Sequence, residues 1–520
     1  MSDSKALPKF VLVLALFLLL FIFKPVHLDD PVFLKTGEHL LRHPFQPFLA
    51  KINWIGTKRS LFFEGNPFFL SYFFAAVIGL LGSSEWILHA AYSVFPFLCL
   101  MFVYGIARQR RTDPVVAATL FLSCPAFLLS STTLMSDVPL LAFYLMAIYY
   151  YLRFTSTNSP ADGLLFALGA VLAGFTKYIG LTLIPLLFVD LAWRGKLRKG
   201  MPFLLLPVGY LMLWGIYSYS LAGTSHVAFS AQYLDLQWRA IVQKIAACLS
   251  FTGLALLGFT ILALLDRTSG AVWALVATIC GFAAFQLNPI HYVPGAILMG
   301  IGISSAILVV PRVFRRDPDL LVCLWLAGML VYTWISEFIA ARVVLLFAVP
   351  LFLLLSSQIP REKALLCAGL NIVLSLMLAQ ADFRWAESYK HFAETMSLQR
   401  THYFAHWGLQ YYLEKRGLEP FDYERDSLQA GDLLVVPQIG GTSAYPLPTG
   451  NGRFLNAKIR LEKSVALDVH QGLFIMNENL DAGFYCHTWG MVPFSWGARP
   501  LDTMDLFRVT QVFLDDGNRE

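Results

Sequence analysis

The chain has 520 residues, of which 57% are hydrophobic and 14% are charged, and its mean hydropathy is +0.61. A soluble domain carries about 25% charged residues, so the composition excludes a water-soluble protein, and it also excludes disordered, collagen-like, coiled-coil and disulfide-rich chains. The net charge of +5 does not indicate a nucleic-acid partner. Apolar stretches of roughly 14–24 residues recur along the first part of the chain, which is typical of a polytopic α-helical membrane protein.

The apolar stretches predict thirteen membrane spans. The first is uncleaved, because no small-x-small cleavage site follows it. Placing the basic clusters inside gives 16 positive residues in the inner loops and four in the short outer loops, so the N-terminus is predicted inside and the C-terminus outside. The predicted spans are 10–24, 86–106, 114–130, 138–153, 162–175, 179–192, 202–221, 242–265, 270–287, 293–311, 319–336, 343–358 and 364–380.

One further apolar segment, 67–82, would invert the topology if it crossed the membrane. An α-helix of this length reaches only about 24 Å, less than the hydrocarbon thickness. We therefore predict a juxtamembrane or half-inserted helix on the outer side. It belongs to a long first outer loop, 25–85, and long loops between tightly spaced spans are usually functional.

The charge density changes near residue 381. Charged residues number 42 in the first 380 positions and 31 in the last 140. We therefore predict a transmembrane domain over 1–380 and a small soluble domain over 381–520. The second domain begins with a helical stretch to about Arg416 and continues as short apolar runs between turns, which predicts an α+β or mainly β fold.

Two adjacent carboxylates, Asp29 and Asp30, follow the first span. Partial desolvation of such a pair raises one pKa, and a carboxylate of this kind can accept a proton from a hydroxyl or amine nucleophile. The alternative is a helix cap, since an Asp before a helix start satisfies free N–H groups. For an isolated pair the cap would be the better interpretation.

Three more charged residues are predicted at outer helix junctions. Asp137 opens a span and could simply cap it. Lys177 lies between two short spans and could snorkel to the interface, and Arg342 could pair with Glu337. Together with the carboxylate pair they place acid–base groups beside cations, an arrangement that suits transfer chemistry on a phosphorylated lipid.

These residues carry a resemblance to a known family. The aspartate pair, the stretch 134–140 (LMSDVPL) and the stretch 176–181 (TKYIGL) resemble glycosyltransferase family 39. That family includes protein O-mannosyltransferases and is similar to the bacterial enzymes that add aminoarabinose to lipid A, within the GT-C superfamily of polyprenyl-phosphate-sugar-dependent transferases. The resemblance covers most of residues 1–380. It implies a GT-C fold in a bacterial inner membrane, with a cytoplasmic N-terminus and a periplasmic C-terminal domain.

The resemblance also implies roles for the charged residues. Asp29 matches the catalytic carboxylate, Asp30 the acidic residue that follows it, and Asp137 an active-site aspartate. Lys177 and Arg342 match cations that hold the lipid-linked phosphate. The implied reaction is an inverting sugar transfer, in which Asp29 activates the acceptor and polyprenyl phosphate leaves.

The sequence departs from the family at two places. Residues 64–67 read Glu-Gly-Asn-Pro where the family often has a His-Pro-Pro stretch, which affects acceptor contacts, and Arg342 is followed by Val-Val-Leu where relatives often have an aromatic residue and a proline. The candidate contacts to donor or acceptor are Tyr178, Glu64 and His291. His402 and His406 with Trp407 would suit a sugar site or a metal pair, but an interfacial helix is the simpler interpretation because no third ligand is evident.

The sequence thus predicts a membrane glycosyltransferase that takes a polyprenyl-phosphate-sugar donor and a lipid, glycan or protein acceptor, among membrane lipids and without nucleic acid. No cofactor and no metal site are predicted, although a divalent metal stays open. The alternative is a transporter or flippase of lipid or lipid-linked sugar, which would share the helices and cations but would not need Asp29. A structural membrane component would leave the clustered charges unexplained.

Overall fold

The computed structural model describes residues 6–64, 66–255, 257, 320–356, 359–441 and 445–513. Up to residue 395 the described chain is mostly helical, and beyond it is rich in β-strands. Four helical stretches are long and apolar enough to cross a membrane: Glu85–Gln109, Asp137–Thr157, Leu197–Ala222 and Arg361–Thr395. The predicted polytopic helical character is therefore confirmed, whereas the count of thirteen spans is not.

Most of the predicted apolar stretches of the first half correspond to helices, although some stretches are divided between two of them. The predicted spans 270–287 and 293–311, and most of the second half of 242–265, lie outside the described residues. The helices are α1 (Leu7–Leu20), α2 (Asp30–Leu40), α3 (Phe69–Leu81), α4 (Glu85–Tyr92), α5 (Val94–Gln109), α6 (Pro114–Leu122), α7 (Pro125–Ser130), α8 (Asp137–Thr157), α9 (Pro160–Thr176), α10 (Leu183–Trp193), α11 (Leu197–Ala222), α12 (His226–Ser230) and α13 (Trp238–Ala255).

The predicted single helix over 114–130 is wrong, because the structure has two helices there, α6 and α7. Pro125 begins α7 and ends α6, since proline has no N–H to donate and its ring clashes with the preceding turn. The start of α6 is fixed by Asp113, whose carboxylate accepts hydrogen bonds from the backbone N–H of Val115 (2.9 Å) and Val116 (3.2 Å).

Helix α3 corresponds to the apolar segment 67–82. It has 13 residues, fewer than the roughly 20 that a membrane crossing needs. It packs closely against α2 at Gly37, where a Cβ atom would lie 3.1 Å from the carbonyl oxygen of Ser71. The long first loop therefore folds as two packed helices and a short hairpin, in which β1 (Lys51–Asn53) pairs with β2 (Lys58–Ser60).

The second half of the described chain contains four helices and nine strands. The helices are α14 (Leu320–Ile335), α15 (Leu345–Leu355), α16 (Arg361–Thr395) and α17 (Trp407–Lys415). The strands are β3 (Thr401–Tyr403), β4 (Leu433–Pro437), β5 (Gly452–Phe454), β6 (Ala457–Leu467), β7 (His470–Phe474), β8 (Met476–Asn477), β9 (Ala482–Gly483), β10 (Ser495–Arg499) and β11 (Asp502–Val512).

Five of these strands form one sheet in the order β3-β4-β11-β6-β5, with β3 parallel to β4 and the other pairs antiparallel. Two small sheets pair β7 with β10 and β8 with β9. The prediction of an α+β or mainly β fold is confirmed in so far as this region is rich in β-strands. The predicted helical stretch to Arg416 is interrupted, since α16 ends at Thr395 and a strand precedes α17. Residue 381 lies within α16, and the division into two domains stays a prediction.

The C-terminal region packs on the first loop at two places. The amide of Asn53 donates to the carbonyl of Phe421 (2.9 Å), and the N–H of Tyr423 donates to the carbonyl of Gly56 (3.0 Å). At the second place the N–H of Val26 donates to the hydroxyl of Tyr412 on α17 (2.8 Å). These contacts hold the C-terminal region over the turn that carries the aspartate pair.

Candidate functional site

A large cavity lies where the helix ends meet the first loop and the C-terminal region. Its volume is about 1010 Å³, the upper end of the range for ligand pockets. Asp29, Asp137, Lys177 and Arg342 all line it. The sequence pattern predicted these four residues on one side of the membrane, and the structure brings them together. We call them the ion cluster.

Asp137 is the centre of the ion cluster. Its Oδ1 lies 2.8 Å from Lys177 Nζ and its Oδ2 lies 2.9 Å from Arg342 Nε, and only 5% of its side-chain surface is exposed. Arg342 reaches further with Nη2, which lies 3.8 Å from Asp29 Oδ2. Asp137 is thus paired with two cations, so a simple helix-capping role does not account for it. Arg342 pairs with these aspartates and makes no ion pair with Glu337 in the described part of the chain.

Separate helix ends supply the cluster. Asp137 is the first residue of α8, and Arg342 lies in the loop between α14 and α15. Lys177 follows α9 in an extended conformation, and a 3₁₀ helix, Tyr178–Thr182, comes next. That turn requires Gly180, because a Cβ there would lie 2.3 Å from the backbone of Ala173. The local turn chemistry therefore aims the lysine into the cavity.

Asp29 is the open member of the ion cluster. It is the N-cap residue of α2, yet its side chain makes no capping hydrogen bond, and 40% of its side-chain surface is exposed. The preceding residue, Leu28, has φ +47°, a conformation that costs free energy for a residue with a branched side chain. Burial raises the pKa of Asp29, and the positive charges of Arg342 and Lys177 offset this only in part.

Asp30 points away from the cavity. It is 1% exposed, and its carboxylate accepts hydrogen bonds from the backbone N–H of His27 (3.0 Å) and of Leu134 (3.1 Å). Burial raises the pKa of Asp30 to about 7 against the opposing effect of Lys24 and these two bonds. The structure therefore places Asp30 beside the cluster, where it ties the turn of Asp29 to the loop that precedes Asp137.

Sequence reasoning missed a buried charged group next to the turn that carries the aspartate pair. Asp382 on α16 is fully buried, forms an ion pair with Lys24, lies 3.2 Å from His27 Nε2 and accepts a hydrogen bond from the hydroxyl of Tyr485 (2.7 Å). This group links the end of α1 to the C-terminal region. The available signal was a lysine at the end of one apolar span and an aspartate two residues after another, because such charges are buried only when paired.

Tyr178 lines the cavity next to Lys177. Its hydroxyl accepts a hydrogen bond from Trp214 Nε1 (2.8 Å) and lies 2.5 Å from His226 Nδ1. The other two candidate contacts are not placed. The side chain of Glu64 lies outside the described residues, although its backbone ends a 3₁₀ helix, Leu61–Glu64, and His291 lies outside them altogether.

The ion cluster combines two carboxylates with two cations that keep donors for an anion. Burial opposes the charge on Arg342, but the carboxylates of Asp137 and Asp29 outweigh it and raise the pKa of the guanidinium. Its Nη1 is buried and has no hydrogen-bond partner among the described residues. The ammonium of Lys177 has three donors, of which Asp137 takes one. The cluster can therefore bind an anionic oxygen and accept a proton on Asp29.

His402 and His406 do not form a metal-binding pair. His402 Nε2 lies 3.4 Å from Asp432, whereas His406 is half-buried between the rings of Trp54 and Trp407. No group of three or more His, Cys, Asp or Glu side chains is arranged to hold a metal ion anywhere in the described residues.

The helices and the cavity define a membrane protein with a charged site at the ends of its spans. Residues 65–219 match the family model described as dolichyl-phosphate-mannose-protein mannosyltransferase. The match confirms the predicted resemblance to the protein mannosyltransferases in a segment that contains Asp137 and Lys177. Asp29 and Arg342 lie outside the matched segment. No curated protein matches the chain.

Several solved structures resemble the chain distantly. ArnT from Cupriavidus metallidurans bound to undecaprenyl phosphate is 14% identical, with a TM-score of 0.41 over 83% of this chain and 92% of that chain. The Pmt1-Pmt2 complex of S. cerevisiae with its sugar donor is 14% identical, with a TM-score of 0.34 over 45% and 36%. The arabinofuranosyltransferase AftD from Mycobacteria is 13% identical, with a TM-score of 0.38 over 98% and 40%.

Proposed function

We propose that the chain is a membrane glycosyltransferase of the GT-C type, which transfers a sugar from a polyprenyl-phosphate donor to an acceptor on the periplasmic face. The observation that carries the proposal is the ion cluster, in which the partly exposed carboxylate of Asp29 lies 3.8 Å from a guanidinium that also binds Asp137. The family match over residues 65–219 supports a sugar transferase. We extend the proposal to the topology predicted from the sequence, with about thirteen spans, a cytoplasmic N-terminus and a periplasmic C-terminal domain.

In this reaction the donor phosphate binds to Lys177 and Arg342. The acceptor hydroxyl or amine lies against Asp29, and its oxygen or nitrogen attacks the anomeric carbon of the donor sugar from the face opposite the phosphate. The bond from the anomeric carbon to the phosphate oxygen breaks, its electron pair leaves with polyprenyl phosphate, and the acceptor proton moves to Asp29. Attack from the opposite face inverts the anomeric configuration.

The charges of the ion cluster suit each step. A carboxylate whose pKa is raised by burial is a stronger base than an ordinary aspartate, provided that it is ionised. The phosphate leaves as an anion, and the donors of Arg342 and Lys177 stabilise the charge that develops on it. Asp137 holds both cations in place and so keeps them from closing onto Asp29.

The test is the release of polyprenyl phosphate by the purified full chain, offered a mixed pool of polyprenyl-phosphate sugars with a membrane extract as acceptor. We expect release from the wild type that requires acceptor, and loss of release in Asp29→Asn. The donor that is consumed identifies the sugar. A transporter would tolerate Asp29→Asn and would move lipid-linked sugar across vesicles without consuming it, which would contradict the proposal.

A further inference from the structure

Three indole side chains line the same cavity as the ion cluster. Trp54 follows β1 in the first loop, Trp407 begins α17, and Trp489 lies in the loop between β9 and β10. Three segments far apart in the sequence thus converge on one wall. We call these three residues the indole platform.

The rings of the platform belong to one connected series of aromatic contacts, of which the Trp54–His406 pair is stacked and the others are tilted. Trp54 is stacked on His406, with centroids 5.1 Å apart and an interplanar angle of 26°, and the His406 ring lies 4.4 Å from the ring of Trp407. Trp407 in turn lies 5.8 Å from Trp489. Burial lowers the pKa of His406 to about 3, so its imidazole is neutral and the series carries no charge at neutral pH.

The backbone at the centre of the platform is strained. Trp407 has φ +62°, an outlier for a bulky residue. Gly408 lies so close to the first loop that a Cβ there would be 2.3 Å from the carbonyl oxygen of Val26. Such strain persists where the surroundings enforce it, and it concentrates at ligand sites. Trp407 is therefore fixed against the turn that carries Asp29.

The platform offers partly open apolar faces beside polar groups. Trp54 and Trp489 are half-buried, so part of each ring faces the cavity. Thr57 and Arg59 line the same cavity close to Trp54 in the sequence. A sugar ring has an apolar C–H face and a rim of hydroxyls, which matches an uncharged indole face bordered by hydrogen-bonding groups. A polyprenyl chain has no such rim and would find apolar surroundings in the membrane.

We propose that the indole platform binds a sugar ring of the acceptor, so that the acceptor is a carbohydrate or carries one. This inference rests on the proposed function, because it names the acceptor class of the same site. A sugar ring can also come from the donor, and the two sources differ in one respect. An acceptor ring binds together with the donor, whereas a donor ring is displaced by it.

The test measures the binding of methyl glycosides to the purified full chain by saturation-transfer NMR. The probes are methyl mannopyranoside, methyl galactopyranoside, methyl glucosaminide and methyl arabinofuranoside. We expect at least one of them to bind to the wild type, and Trp489→Leu to weaken that binding about fivefold, whereas Trp489→Phe keeps it because a ring remains. The control is Trp496→Leu, since Trp496 is exposed on β10 and does not line the cavity. Thermal unfolding checks that each variant is folded.

Two further experiments distinguish an acceptor sugar from a donor sugar, and they test the indole platform separately from the proposed transfer reaction. Adding polyprenyl-phosphate mannose should leave the glycoside signal in place, and displacement of the glycoside would assign the platform to the donor sugar and overturn the inference. Asp29→Asn should keep glycoside binding while losing transfer. Binding and transfer are therefore measured independently, and the inference about the platform can be contradicted while the proposed reaction is supported. Binding that is unchanged in Trp489→Leu, or no binding of any probe to the wild type at about 50 mM, would also overturn the inference.

Discussion

The cavity joins two regions that are built on different principles. Three members of the ion cluster come from the ends of membrane helices and Asp29 comes from the start of the first loop, and each charge is held by an opposite charge at 2.8 to 3.8 Å. The indole platform comes from the first loop and the C-terminal region, where the rings are held by aromatic contacts and by a strained backbone. In the proposed reaction the charges position the reacting atoms, and the uncharged rings bind a substrate without competing for those charges. We therefore expect substitutions in the ion cluster to affect the chemical step and substitutions in the indole platform to affect substrate binding.

The largest effect should come from the open carboxylate of the ion cluster. Asp29→Asn removes the proton acceptor and should lower kcat by about 10²–10⁴, because general-base catalysis contributes that much. Its neighbour gives a matched control. Asp30→Asn weakens a positioning contact only and should cost about tenfold. Steady-state rates of polyprenyl phosphate release measure both, and equal losses in the two variants would contradict the distinction between them.

The next largest effect should come from the shared cation. Arg342→Gln removes the positive charge between Asp29 and Asp137, and we expect transfer to fall by about 10²–10³ because the leaving phosphate loses a preorganised donor. Arg342→Lys should recover only part of the rate, since a single ammonium cannot reach both carboxylates as the guanidinium does. Initial rates at saturating donor provide the measurement. Full activity of Arg342→Lys would show that transfer does not require a guanidinium that contacts both carboxylates.

The two regions also differ in how far the sequence predicts them. The four residues of the ion cluster were predicted from the charges at the outer helix junctions and from the resemblance to glycosyltransferase family 39, and their meeting follows from the shared side of the membrane. The direction of Asp30 was not predictable, since it depends on the backbone of Leu134, far away in the sequence. The strained turn at Leu28 gave no signal either, because leucine seldom adopts positive φ.

The platform was harder to predict than the cluster. Trp407 was noted as a residue that suits a sugar site, but nothing in the sequence brings Trp54 and Trp489 to it. Trp54 meets it through the packing of the first loop on the C-terminal region, and Trp489 meets it through packing within the C-terminal region. The break between α6 and α7 was also missed, although Pro125 marks it, since the apolar composition continues across the proline. Local signals thus predicted charges and helices, and long-range packing decided the rest.

The pH dependence of transfer tests whether Asp29 is the general base. Asp29 must be ionised to accept a proton, and its pKa is raised, so kcat/KM should fall as the pH drops through a value above the ordinary aspartate range. Removing the nearby positive charge in Arg342→Gln disfavours the ionised form further, so the acid limb should move to higher pH by about one unit. Rates between about pH 4 and 8 test this, and an unshifted limb would contradict the electrostatic link between the two residues.

The smallest effect should come from the contact between the regions. Gly408→Ala places a methyl group 2.3 Å from the carbonyl oxygen of Val26 and should destabilise the fold by about 1–3 kcal/mol while displacing the turn of Asp29. The matched control is Gly369→Ala on α16, where a Cβ meets open space and should be neutral or slightly stabilising. Thermal unfolding in detergent compares the two, and equal stability would contradict the close approach.

The role of Asp29 as a base is tested most directly with an acceptor that has no proton to lose. Azide attacks the anomeric carbon as an anion, so its reaction with the donor needs no base. Asp29→Asn should remain at least about 100-fold slower than the wild type with the natural acceptor, yet should release polyprenyl phosphate at a near wild-type rate with azide. If the variant is equally slow with azide, Asp29 acts through the position of Arg342 and not as the proton acceptor.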